Sequence, residues 1–253
     1  MKKRVSLICF LACAIMLLTA LSIMFIKYNS QNNIIVESNL KEENKEYNTY
    51  SYITDDILKK SKNVGVMVEL NQEYTPEYML EKSDIVALVT IVSIDGASMD
   101  YSVFGRTFGK MLVNNVFWGD ISEGSLVEYL KPGGTVTIEE YDKYDIPEAV
   151  EKRDYLYQQS GIVIDKENSY LTIKIEDDIT IEQGKTYLAY LKYKEKYNKY
   201  EIVGLQNGLR EVNIEQKSRV MSQDYNVNKL KIKNNNTGDW EALDNYIQEN
   251  VIK

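Results

Sequence analysis

Histidine is missing from this 253-residue chain, and its only two cysteines, Cys9 and Cys13, sit near the N-terminus. Beyond Cys13 there is therefore no thiol nucleophile, no thiolate ligand and no disulfide. Ser-His-Asp and Cys-His catalysis are excluded there, as are zinc sites built on imidazole or thiolate. Positive charge is also in deficit: 30 Lys and Arg against 38 Asp and Glu leave a net charge of −8. An acidic surface disfavours polyanions, so nucleic acid is not an expected partner.

What is present begins at the N-terminus. Lys2, Lys3 and Arg4 precede the uncharged run "VSLICFLACAIMLLTALSIMFI", residues 5–26, which Lys27 ends. As a helix this run rises about 33 Å, enough for a hydrocarbon core of about 30 Å. The leading cations place that end in the cytoplasm and predict export of the remainder. The run exceeds the core of a cleavable signal peptide, and further apolar residues follow Ala20-Leu21-Ser22. An uncleaved signal anchor is therefore favoured over a secreted, cleaved form. A lipoprotein signal ending at Cys13 would truncate the run in its middle, with Phe10 ill-suited three places before the cysteine. The expected location is the cell membrane, single-pass, with residues 1–4 in the cytoplasm and the C-terminal domain outside the cell. Setting aside Lys2, Lys3 and Arg4 leaves 27 basic and 38 acidic residues, a net of −11 for the exported part.

Residues 27–62 are rich in Asn, Glu, Lys, Ser and Tyr and cannot bury enough surface to offset chain entropy; they predict a flexible, hydrated spacer. Ser38 and Lys41 match an SxxK pattern, but the SDN and KTG companions of penicillin-binding enzymes are absent. From 63 to 217 the pattern is mainly β with a few short helices (α+β). "VGVMVEL" (64–70) reads as a strand. "TPEYMLEKSD" (75–84) reads as a short helix, with Thr75 as N-cap and Pro76 in the first turn. "IVALVTIVSI" (85–94) has the β-branched density of a strand buried on both faces, at the centre of a barrel or sandwich.

A second long strand covers 106–120. Segments 125–130 and 135–140 flank "KPGG" (131–134), a hairpin signal. Residues 145–161 predict a helix capped by Asp145, with Glu148 returning the bond and Gly161 ending it. "GIVID", "YLTIKIE", "TYLAYLKY" and "KYEIVG" all read as strands. A linker is expected over 218–238, with "NNNTGD" at its end. An amphipathic helix over 239–253 is expected to carry Trp240, Leu243, Ile247 and Val251 on one face.

"YLAYLKYKEKYNKYEIVGLQNG" (187–208) alternates Tyr with Lys. Over 186–193 the side chains divide by period two. Thr186, Leu188, Tyr190 and Lys192 take one face; Tyr187, Ala189, Leu191 and Tyr193 take the other. Both faces stay apolar until Lys192, and Lys and Glu then crowd the tip. A sheet hairpin with lysines at a solvated edge explains this better than a nucleic-acid strip.

Taken together, "SDIVALVTIVSI", "VNNVFWGD" and "GKTYLAYLKYKEKYNKYEIVGLQNGLREVN" resemble a pattern in secreted or membrane-anchored proteins of Gram-positive bacteria. More distantly they resemble the netrin and metalloproteinase-inhibitor type of OB-like barrel. The matching positions are Asp84, Val113, Val116, Gly119, Gly184, Tyr187, Leu191, Gly204, Gln206 and Gly208. The resemblance covers roughly 64–215 and implies an OB-like barrel behind one N-terminal transmembrane helix. Trp118 departs from the pattern, standing where lysine is usual. The N-terminal cysteine by which metalloproteinase inhibitors chelate zinc has no counterpart, so inhibition by that route is not implied.

For catalysis only carboxylates remain. "EEYDKYD" places Glu139, Glu140, Asp142 and Asp145 at a strand-to-helix junction, where a solvated loop explains them better than the facing pair a glycosidase needs. "DKENS" (165–169) and "EDD" (176–178) lack the glycine and closing glutamate of a calcium loop. No cofactor and no metal are expected. The reading is therefore a non-catalytic, extracytoplasmic binding module whose partner is an envelope protein or glycan. Its alternatives are a carboxylate-dependent cell-wall glycan hydrolase and a structural or signalling ectodomain for a membrane partner. Loops and one sheet face carry recognition in OB-like barrels, and the candidate contacts are Trp118, Lys131, Lys192, Tyr193, Lys196 and Tyr197. For Trp118 the plainer reading is a cap on the core.

Overall fold

A computed structural model describes residues 50–52, 54–66, 73–102, 104–214 and 227–252. The expected transmembrane segment, 5–26, lies outside the described residues, as does most of the expected spacer. Among the described residues no helix is long and apolar enough to cross a bilayer.

The chain first forms β1 (Tyr50–Ser51), α1 (Asp55–Lys60), β2 (Ser61–Val66), α2 (Pro76–Lys82), β3 (Ile85–Ser98) and β4 (Arg106–Trp118). Then come β5 (Leu126–Pro132), β6 (Gly134–Thr137), α3 (Ile138–Asp142), α4 (Pro147–Gln159) and β7 (Tyr170–Ile175). The remainder holds β8 (Thr186–Lys194), β9 (Lys199–Ile202), α5 (Leu205–Gly208), β10 (Leu209–Asn213), β11 (Lys231–Lys233), β12 (Trp240–Ala242) and α6 (Leu243–Asn250). The architecture is mainly β with a few short helices.

β3 organises the molecule. It pairs antiparallel with β4 on one side and with β8 on the other. β4 pairs with β5, β5 runs parallel to β9, and β9 returns antiparallel to β8. The pairings thus run in a circuit that ends on the strand where it began. Four register irregularities along β3 bend it, since each bulge adds local twist. This lets residues 85–90 face β8 while Ser93 and Ile94 face β1.

The uncharged run at 85–94 is explained by two cores, one on each side of the sheet. Ile85, Ala87, Val89 and Ile91 point inside the circuit, where Met111, Val113, Tyr129, Tyr187, Ala189, Leu191 and Leu209 meet them. Val86 and Leu88 point outward with Leu188 and Tyr190, against Met79 of α2 and Leu243, Tyr246 and Ile247 of α6. The period-two division expected for 186–191 is the division between these cores. Each large apolar side chain so buried contributes about 1.5–3 kcal/mol. Burial pushes the Tyr187 phenol up to about 12 and raises Tyr129 and Tyr190 as well.

A second sheet holds β2, β7 and β6, with β2 parallel and β6 antiparallel to β7. The segment 131–134, expected as a hairpin turn, instead carries the chain from one sheet to the other; β5 and β6 do not pair. Gly134 sits at that corner with φ 148°, and a Cβ there would stand 2.6 Å from both Ala97 Cβ and Thr107 Oγ1. Close approach of two layers explains the glycine, where the sequence signal suggested a tight turn. Tyr52 secures the same corner: its hydroxyl donates to Thr135 O at 2.8 Å and accepts the Thr135 N–H at 3.1 Å. Burial raises this phenol to about 12.

Other local expectations are revised. Residues 50–51 and 55–60, within the expected spacer, form β1 and α1. Residues 135–140, expected as one strand, leave β6 at Thr137, whose hydroxyl caps α3. The N-cap of α4 is Ile146 without a side-chain bond; Asp145 instead ion-pairs with Arg153. Residues 162–164 of "GIVID" are not a strand. Ile232, within the expected linker, lies in β11 and is fully buried. Trp240 belongs to β12, and α6 begins at Leu243. Arg210 ties this end down: its guanidinium lies 4.5 Å from the Tyr246 ring centre, Nε donates to Lys233 O, and Glu241 ion-pairs with it.

Candidate binding surface

β8 and β9 are joined by a single 3₁₀ turn, Glu195–Tyr197, closed by Asn198 in the left-handed region at φ 52°. Pairing of Tyr193 with Tyr200 brings their rings to 5.2 Å, and the Tyr193 hydroxyl donates to Asn198 Oδ1 at 2.6 Å. Burial raises the Tyr200 phenol, with the Tyr193 ring and the Asp84 charge adding to it. The β3–β4 connection holds another 3₁₀ turn, Met99–Tyr101, capped by Ser98, whose Oγ accepts the Asp100 N–H.

These two tips meet. The Tyr101 ring stands edge-on to Tyr197 at 5.1 Å and to Phe108 at 5.9 Å. Phe108 lies over Gly96, its partner across the sheet, where a Cβ would stand 2.7 Å from Phe108 Cζ. In register, Phe108 faces Leu130, Leu130 faces Glu201, and Glu201 faces Lys192. The outer face of β4, β5, β9 and β8 therefore carries one row from aromatic through aliphatic to charged.

The electrostatics of this face are dense. Glu201 ion-pairs with Arg106 and, at 2.8 Å, with Lys194; Lys199 pairs with Glu128. Arg106 Nε is buried without a hydrogen-bond partner. Lys192 reaches Asp84 at 2.6 Å, and the Tyr193 N–H donates to the same carboxylate. Burial pushes Asp84 up, but the Lys192 ammonium and that N–H together outweigh it and hold the carboxyl below its usual range. Lys196 Nζ stands 4.9 Å from the Tyr197 ring centre.

Of the sequence candidates, Tyr193, Lys196 and Tyr197 share this tip, with Lys192 at its base. Lys131 does not join them. It is only 6% exposed, and its ammonium meets Asp178 at 2.5 Å, so it serves as an internal anchor and presents no surface contact. Trp118 lies at the far end of β4, opposite Val86, and is 49% exposed, so it does not cap the core. Tyr101, Arg106, Phe108 and Glu201 were missed. The one sequence signal for them was aromatic and basic residues bracketing a short connection, which gains meaning only once the two tips are known to touch.

The carboxylates at 139–145 are largely engaged. Asp142 pairs with Arg153 at 2.6 Å and Lys166 at 2.8 Å, and Asp145 pairs with Arg153 at 3.0 Å. Glu140 accepts the Ser98 hydroxyl at 3.2 Å and also pairs with Lys143. These contacts tie α3 to α4 and to the loop before β7. Among the described residues no group of three acidic side chains is placed to hold a metal ion. No family model matches the chain, and neither a curated protein nor a solved structure matches it.

Proposed function

We propose that the chain is a membrane-anchored, extracytoplasmic binding module that acts without catalysis, with an OB-like barrel as its body. The closed circuit of five strand pairings supports the OB-like reading, because a meander of three strands followed by a parallel β5–β9 return is how such barrels close. The anchor rests on residues 5–26 and the cations before them. Recognition is assigned to the face where Tyr101, Phe108 and Tyr197 gather beside Arg106, Lys194 and Lys196, with Tyr193 at the same tip but paired with Tyr200 on the other side of the sheet. The contact between Tyr101 and Tyr197 carries this reading, since it joins two loops over one sheet face. Aromatic and arginine side chains are the groups that most often anchor interfaces. The partner class is an envelope protein or glycan.

Photo-crosslinking from position 197 of the full chain in producing cells tests this. A defined adduct from 197, absent from a control at Thr237 and lost in Tyr101→Ala, is expected. Equal labelling from both positions counts against the site. Release of glycan fragments by the purified chain, abolished in Glu140→Gln or Glu139→Gln, would replace binding with hydrolysis.

A further inference from the structure

We propose that the ligand of the face around Tyr101 and Tyr197 is a neutral oligosaccharide. This rests on the recognition face assigned above and narrows its partner to one chemistry. Charge removes two rivals. Glu201 is held by Arg106 and Lys194, and Glu128 by Lys199. Lys110 and Lys196, and the acids Asp100 and Glu195 at the two tips, are exposed and carry no ion pair among the described residues. Five cations thus stand against four acids, and the cations nearest the rings are already engaged by Glu201. A polyanion needs a surplus of cations to displace its counterions, and a basic peptide needs a surplus of acids. The face offers neither.

Its polar groups suit hydroxyls. A hydroxyl donates once and accepts twice, so neighbouring sugar hydroxyls call for fixed donors beside fixed acceptors. Arg106, Glu201 and Lys194 alternate in that way and are locked by their own ion pairs. The Arg106 and Glu201 side chains both remain partly exposed. The Arg106 guanidinium meets only Glu201, and its Nε has no acceptor, so donors are left over. Aromatic rings supply the apolar half. Tyr101 stands at 71° to Phe108 and at 88° to Tyr197, so the three rings turn edges and faces in different directions toward the C–H groups of a pyranose. Phe104, in the same connection as Tyr101, is 39% exposed. Leu130, the aliphatic of the row, is 1% exposed. The row therefore shows no aliphatic centre of the kind that a protein interface buries.

Position in the fold favours the same ligand. On the OB-like reading, β3, β4, β5, β8 and β9 are the five strands of the barrel, in the pairing order of the circuit. The tips that meet are then the loop between the first two strands and the loop between the last two. By fold analogy, those loops and the face of the second and third strands take oligonucleotides or oligosaccharides. A chain of net charge −8 with a nearly neutral face is poorly suited to the first, which leaves the second.

The test uses the full chain in lipid nanodiscs with two neutral probes, chitotetraose and cellotetraose, read by magnetic saturation transfer to their ring protons. Transfer to at least one probe, unchanged in high salt, is expected. Affinity should fall about tenfold in Tyr101→Ala and in Arg106→Lys and be retained in Tyr101→Phe. Arg106→Lys keeps the charge and loses the planar fork, and the urea midpoint of each variant checks that it folds. No transfer to either probe overturns the proposal. So does transfer that survives Tyr101→Ala, or stronger transfer to polygalacturonate that high salt abolishes. The adduct from position 197 separates this ligand from the recognition face itself. An adduct removed by protease and untouched by periodate makes the partner a protein, which overturns the oligosaccharide and keeps the face. An adduct cleaved by periodate supports both, and the absence of any adduct overturns both.

Discussion

The ribbon formed by β3 and β8 and the excursion that carries α4 are built on opposite terms. β3 and β8 are covered on both faces, and Leu88, Leu188, Tyr190 and Leu191 are fully buried. α4 is held at its middle by ion pairs from Arg153 to Asp142 and Asp145, and no side chain along it is buried. The first region is stabilised by removing apolar surface from water and fails when that surface is disturbed. The second is stabilised by partly exposed charges and its own turn, which leaves Tyr155 and Leu156 exposed. Burial and exposure thus occupy separate regions of one chain.

Alkali is expected to have the largest effect, on the core inside the circuit against which Tyr52 and Tyr187 pack. Phenols raised to about 12 at Tyr52 and Tyr187 leave stability intact below pH about 10, where the unfolded phenol titrates, and remove it as pH rises toward 12. Two units of difference correspond to about 2.7 kcal/mol for each group. Denaturant unfolding followed from pH 8 to pH 12 checks the loss, and a stability that stays flat through pH 11 contradicts the burial of these phenols. Next in size, Asp178→Ala strands the Lys131 ammonium inside and is expected to cost about 3–5 kcal/mol. Pairing it with Lys131→Met should recover much of that loss in the urea midpoint.

Leu88→Ala probes the outer core directly and should cost about 2–5 kcal/mol, whereas Leu156→Ala on α4 should stay within about 0.5 kcal/mol. Equal effects in urea titrations would erase the contrast between the two regions. The smallest effect belongs to Asp84→Asn. Both partners of the Asp84–Lys192 pair are about two-fifths exposed, so solvent screening limits the loss to about 1 kcal/mol or less. Because the Asp84 carboxyl is depressed, its contribution is complete above about pH 4 and fades as pH falls through its folded value. The gap between wild type and Asp84→Asn should therefore be constant from pH 5 to pH 8 and narrow in acid.

Much of the ribbon was legible in the sequence. Ten uncharged residues at 85–94 and the alternation at 186–191 state burial on two faces, because strand side chains alternate whatever lies beyond them. The turn at 131–134 was not legible, because Pro-Gly-Gly serves a hairpin and a change of sheet equally. Lys131 read as a surface cation because its partner, Asp178, is remote in sequence. Trp118 read as a core cap for the same reason: only the register with Val86 places it at an exposed strand end.

The proposed binding face divides in the same way. Tyr193, Lys196 and Tyr197 stand out as a Tyr/Lys tip, but Tyr101 and Phe108 join it only through the β3 bend that delivers one loop to the other. By itself the sequence determined the β-rich character, the doubly buried strands and the exclusion of imidazole and thiol chemistry beyond Cys13. Composition and side-chain period are local properties, and they survive without knowledge of contacts. Tertiary structure alone decided which charges are buried in pairs, which aromatics meet and which helix is left uncovered, because each depends on residues far apart in the chain arriving at one place.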